Sequence, residues 1–112
     1  SVIREINILD AKDIQEICKD ELGYNVDIKT VKTQIEKLSI DYEHHIIAVY
    51  EDKKTSKVVG FVHAEMYESL YSDIGLNILG LAVSSNFQAK GIGKKLMVFV
   101  EEYALNNNRP VR

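Results

Sequence analysis

The sequence predicts one α/β domain with its elements in the order β-α-α-β-β-β-α. Three observations carry that prediction. Apolar residues recur at helical spacing in two adjacent segments: Ile14, Ile17, Cys18 and Leu22, then Ile28, Val31, Ile35 and Leu38. Three strand-like runs follow with no helix between them: "HIIAVY" (45–50), "VVGFVHAEMY" (58–67) and "IGLNILGLAV" (74–83). A last helical stripe, Ile92, Leu96, Phe99, Val100 and Tyr103, begins after a loop that holds two glycines.

Each element has a local reason. Val2, Ile6 and Ile8 alternate as a first strand would. Asp10 and Asp13 look like a helix N-cap and a first-turn acid, and Gly23 looks like the stop. Asp27 opens the second helix in the same way. The nearly all-apolar run 45–50 suits a central strand, and the charged turn 51–57 leads to a hairpin partner at 58–67. "ESLYSD" reads as a polar connection to 74–83, where Gly80 invites a bulge. Asn106-Asn107-Asn108 suits a helix C-cap, Pro110 forbids continuation, and Arg109-Pro110-Val111 resembles the start of another strand.

The 112 residues support a single core. With 46% hydrophobic and 28% charged residues, the chain is an ordinary globular one rather than a disordered one. A net charge of −3, without a basic block, argues against nucleic acid. Apolar runs are too short to span a membrane, and the single Cys18 fits a reducing, cytoplasmic setting. His44 and His45 are adjacent, so a strand would aim them at opposite faces, and no metal site is expected.

The informative stretch is "LAVSSNFQAKGIGKKLM" (81–97). A helix N-terminus offers unpaired N–H groups and partial positive charge to an anion. Gly91 and Gly93 keep side chains away from those amides, Ile92 turns to the core, and Lys90, Lys94 and Lys95 add attraction. Such a loop suits a diphosphate. It is not a Walker loop, because position 88 is Gln and Lys95 follows Lys94. A Rossmann fingerprint needs a Gly at 96, where Leu stands.

Gln88-Ala89-Lys90-Gly91-Ile92-Gly93, with "LAV" (81–83) before it, resembles the coenzyme motif of the GNAT N-acetyltransferases. The resemblance covers the whole chain in element order. It implies an acyl-CoA N-acyltransferase fold, a mixed sheet whose C-terminal strands are missing here. It further implies acetyl-CoA as cosubstrate, and direct attack of a primary amine on the thioester. Carried onto this sequence, Leu81, Ala82 and Val83 would face pantetheine and the thioester, an N–H near Leu81 would stabilise the oxyanion, and Gln88, Ala89, Lys90, Gly91, Ile92, Gly93 and Lys94 would hold the phosphates.

Many relatives carry a catalytic Glu on the fourth strand. Here 74–83 has no carboxylate, so Glu65 and Asn77 are the candidate base and water-holder, with His63 as a substitute. The family's terminal Tyr would lie beyond Arg112. These residues are therefore expected to be part of a longer acetyltransferase, or to meet a second chain that supplies the other wall, as in a homodimer. The rival expectation is a non-catalytic acyl-CoA-binding module, or a fragment that dimerises through its exposed edge strand.

Overall fold

The computed structural model describes residues 2–106. Strand β1, Val2–Glu5, pairs antiparallel with β2, His45–Asp52. Alternation through Ile8 predicts a longer first strand, but the chain leaves the sheet at Asn7 and makes a 3-10 turn, Ile8–Asp10. The cause is local: the Asn7 side chain accepts from the Leu9 N–H, and the Asp10 carboxylate accepts from the Asn7 N–H.

Asp10 consequently does not cap helix α1, Ala11–Leu22, with its side chain, as its sequence position predicts. Its buried carboxylate takes both terminal nitrogens of Arg4 at 2.9 Å, while Arg4 Nε reaches Glu51 at 3.0 Å. One guanidinium thus ties β1 to β2 and to the start of α1. Gly23, at φ +76°, ends α1. Helix α2, Ile28–Ile40, opens on Asp27, which accepts from the Thr30 N–H at 2.7 Å. That bond holds the Asp27 carboxyl below its ordinary range.

Strands β3, Lys57–Ser69, and β4, Ser72–Val83, complete a sheet of order β1-β2-β3-β4, antiparallel throughout the described residues. The parallel strand of a mixed sheet would follow the last helix. Arg109-Pro110-Val111, expected to start it, lies outside the described residues, as do the Asn107-Asn108 cap and the Pro110 stop. "ESLYSD" is not a loop. Both strands run on into it, Ser69 faces Ser72 with hydroxyls 2.7 Å apart, and Leu70-Tyr71 alone make the turn.

The central strands are buried on both faces, which explains their near-continuous apolar sequences. Val62, Ala64 and Met66 pack under helix α3, Ile92–Asn106, through Ile92, Leu96, Val100 and Ala104. On the opposite face Val49, Phe61 and Ala82 meet Ile14, Ile17, Val31 and Ile35 of α1 and α2. A bulge at Val59, where Tyr50 pairs with Gly60 but Glu51 with Val58, puts Val58 and Phe61 on one face. Gly60 brings the last helix close. A Cβ there would lie 3.4 Å from both Ile92 and Leu96 side chains and 3.3 Å from the Ala82 carbonyl oxygen. The N-terminus of α3 is thereby seated against the end of β4. Among the described residues, no helix is long and apolar enough to cross a membrane.

Candidate functional site

Strand β4 forms one edge of the sheet among the described residues. The Ser84 N–H donates to Val59 at 2.8 Å, so position 84 faces β3. Antiparallel alternation then turns the backbone groups of Ala82 toward β3 and those of Leu81 and Val83 outward. Ala82, expected to face a ligand, is instead a ladder residue with its side chain in the core. Leu81 and Val83 stand on the open edge as expected, but the Val83 carbonyl is already taken by Gln88 Nε2 at 2.8 Å. The expected bulge is present. His63 pairs with Gly80 and Ala64 with Ile78, which leaves Leu79 as the extra residue.

The loop after β4 makes a 3-10 turn, Ser85–Phe87, and is braced from a distance. The Glu21 carboxylate, in the last turn of α1, accepts from the Ser85 N–H at 3.0 Å, the Ser85 hydroxyl at 2.9 Å and Gln88 Nε2 at 3.2 Å. Gln88 thus spends both side-chain hydrogens, on Val83 and Glu21, and its N–H bonds to Ser85. In this arrangement its side chain braces the loop. Sequence reasoning missed Glu21 because its partners lie 64 to 67 positions away.

Beyond Gln88 the backbone opens out. Ala89 and Gly91 both have positive φ, 64° and 78°, and the Lys95 N–H closes the first helical bond onto Gly91. Among the described residues, the N–H groups of Ala89, Lys90, Gly91, Ile92, Gly93 and Lys94 have no protein acceptor. A Cβ at Gly91 or Gly93 would meet nothing within 4 Å. Neither glycine is required by packing; Gly91 is required by its φ, and Gly93 by nothing in the protein. The Ile92 side chain is buried beneath the row, while Lys90, Lys94 and Lys95 are exposed. Lys90 Nζ lies 5.2 Å above the Phe87 ring. The arrangement is a row of donors at a helix N-terminus, carrying positive potential and suited to phosphate oxygens.

Glu65 and Asn77, the candidate catalytic pair, are cross-strand partners on the α1 and α2 face of the sheet. Asn77 precedes Leu81 by four positions, on the order of 10 Å along a bulged strand. The structure therefore brings these two together but not up to Leu81. His63 is nearer, paired with Gly80. Its Nε2 lies 2.9 Å from Nδ1 of His45, a contact the sequence gives no sign of, because it depends on the β2–β3 register. Burial, and then the neighbouring His45, push the His63 pKa down. His44 lies outside the strand, bonded to Asp41 at 2.7 Å.

A separate groove of about 540 Å3 runs between α1 and the 84–87 segment, with Asp13, Glu16, Asp20 and Glu21 on its wall. Three of these acids are engaged within the protein: Asp13 by the Val58 N–H, Glu16 by Lys12 and Lys57, and Glu21 as above.

An open strand edge, a bulge and a helix that begins in bare amides thus meet at one end of an α/β sheet. The sequence profile of the acetyltransferase (GNAT) family matches residues 11–109, and the chain belongs to that family. Its fold is similar to that of glucosamine-6-phosphate N-acetyltransferase from Arabidopsis thaliana, with a TM-score of 0.83 at 20% identity over 95% of this chain and 75% of that one. It is likewise similar to a GNAT family acetyltransferase of Staphylococcus aureus, with a TM-score of 0.78 at 23% identity over 96% and 79%. A ribosomal-protein-alanine N-acetyltransferase from Brucella melitensis gives 0.73 at 20% identity over 96% and 68%. Comparison with curated protein sequences gives no significant match.

Proposed function

We propose that the protein moves the acetyl group of acetyl-CoA to a primary amine by direct attack within a ternary complex. One observation carries this reading: among the described residues, the six consecutive amides Ala89 to Lys94 have no partner, and they follow a strand whose Leu81 backbone faces outward. The amides fit a diphosphate, and the space above Gly91 and Gly93 is open to receive it. Lys90, Lys94 and Lys95 contribute longer-range attraction. The N–H and C=O of Leu81 and the N–H of Val83 are free to pair with the amides of a pantetheine arm, as an added strand would.

Chemistry then falls beside Leu81. Its N–H would stabilise negative charge as it develops on the thioester oxygen. An alkyl ammonium, with a pKa of about 10, must lose a proton before it can attack. Glu65 and Asn77 would line the acceptor side, Asn77 holding a water. The proposed setting is the cytoplasm. There the half-buried Cys18, its thiol pushed up by burial, stays reduced.

A second reading, binding without turnover, is favoured by the absence of a carboxylate between Ile74 and Val83. Calorimetric titration with coenzyme A, followed by thiol-release assays on a panel of amines, separates the two. Tight binding with turnover supports the enzyme, and tight binding alone supports the module. Gly91→Asp adds a carboxylate to the donor row at a φ that Asp tolerates better than most residues. It should abolish coenzyme binding while the fold survives; unchanged affinity would refute the placement.

A further inference from the structure

We infer that the acceptor is a diamine: one nitrogen reacts beside Leu81, and the other, as a cation, is held on the β3–β4 ribbon by Glu65 and the Tyr67 ring. This rests on the acetyl-transfer reading above and names its substrate class.

Three features carry the inference. The first is the ribbon itself. Pairing of β2 with β3 ends at His45 and Glu65, with a last bond from the Met66 N–H to the His44 carbonyl. Beyond it β3 and β4 run on alone to Ser69 and Ser72. Helices α1 and α2 cover the sheet at Val49, Phe61 and Ala82, and on the same face Tyr67 and Asn77 are exposed while Glu65 and Gly75 are half-buried.

The second feature is the placement of Tyr67. A Cβ at Gly75 would lie 2.9 Å from Cε1, 3.0 Å from Cζ and 3.1 Å from Oη of Tyr67. The ring therefore lies across the edge strand, and glycine is what leaves room for it. Tyr67 is still 53% exposed, so ring surface remains for a cation.

The third feature is charge. From Val58 to Ala89 the chain has no Lys or Arg, and its acids are Glu65, Glu68 and Asp73, all on β3 or β4. The open edge of β4 thus runs from a basic end at Lys90, Lys94 and Lys95, suited to phosphates, to an acidic end suited to a cation. Glu65 has no hydrogen bond or ion pair among the described residues. His44 is bonded to Asp41, and burial, then His45, hold His63 toward neutrality, so neither histidine pairs with that carboxylate. Asn77, opposite Glu65, lies on the order of 10 Å along the strand from Leu81, a separation that an extended diamine spans.

In the reaction a C–N bond forms to one nitrogen as the thioester C–S bond breaks. Of the two protons that the reacting ammonium gives up, one goes to the departing thiolate and one to water. The monoacetyl product keeps a single cation and can react again only as a monoamine does.

The experiment measures kcat and KM with acetyl-CoA for diaminopropane through diaminodecane against propylamine through decylamine, and weighs the products. In the wild type the longer diamines should have KM about tenfold below the matched monoamines at similar kcat. That advantage should fade as salt rises, and monoacetylated product should accumulate. Glu65→Gln should remove the advantage by raising diamine KM about tenfold, and Tyr67→Leu should raise it several-fold. Gly75→Ala should push the ring off the strand and raise diamine KM likewise, with monoamine kinetics and coenzyme A binding at wild-type values. Equal KM for matched diamines and monoamines, an advantage already complete at diaminopropane, or a Glu65→Gln loss that falls on kcat for both series overturns the assignment while acetyl transfer stands. Coenzyme A binding with no turnover of any amine overturns both.

Discussion

Gly93 provides the sharpest test of the donor row, because stability and function should move in opposite directions when it is replaced. It is the second residue of α3, its φ lies outside the left-handed range, and a Cβ there meets no protein atom within 4 Å. Ala is favoured over Gly in a helix by about 1 kcal/mol in the interior and by less in the first turn. Gly93→Ala should therefore stabilise the fold by about 0.5 kcal/mol, raising Tm by roughly 2–4 °C for a domain of this size. On the proposed placement, the same methyl would occupy the space that a phosphate oxygen needs. Weakening one charge-assisted hydrogen bond is worth about 1.5–3 kcal/mol, so coenzyme A affinity should fall about tenfold or more. Thermal melts and calorimetry on one preparation read both effects. A stabilised variant whose Kd stays within about twofold would refute the idea that Gly93 is kept bare for a ligand. Gly91→Ala is the companion control. At φ +78° it should destabilise by about 1–2 kcal/mol, although it too meets no atom.

Two further predictions rest on other parts of the structure. Glu21→Ala removes the acceptor shared by Ser85 and Gln88 and should cost about 1–2 kcal/mol, felt mainly in the loop. Amide exchange at Ser85 should accelerate and coenzyme affinity should drop several-fold; wild-type exchange would show the brace to be idle. The depressed His63 pKa makes the native state bind fewer protons than the unfolded chain, so its contribution to stability falls as pH drops below about 6.5. His44, raised by its bond to Asp41, works the other way: its contribution is present below that pH and lost as pH rises through its folded value. Denaturant midpoints of His63→Gln should accordingly gain on the wild type as pH falls from 7 toward 5, and parallel curves would contradict this.

The sequence is most legible where a single local rule applies. Gly23, Asp27, the double-sided apolar runs of β2 and β3, and the Gly91-Ile92-Gly93 opening of α3 each follow from backbone preference or periodicity, and the structure has them where the residues indicate. Legibility fails where two local rules compete or where partners are distant in the chain. Asp10 has the position of a cap, but Arg4 and the Asn7 turn claim its carboxylate. "ESLYSD" has loop composition, yet cross-strand pairing carries both strands through it to a two-residue turn. The Glu21 brace and the His45–His63 pair depend on tertiary approach and on strand register, which no local spacing encodes. Ala82 and Gln88 read as ligand contacts because they sit inside the motif. Their backbone and side-chain bonds are in fact the framework that aims their neighbours.

A backbone ¹H–¹⁵N shift map during titration with coenzyme A tests the proposed role of the amide row at the start of α3 most directly. The expected result is large, saturable shifts at Ala89 through Lys94, smaller ones at Leu81 and Val83, and little change along α2. Saturable binding that leaves Ala89 through Lys94 unmoved would contradict it.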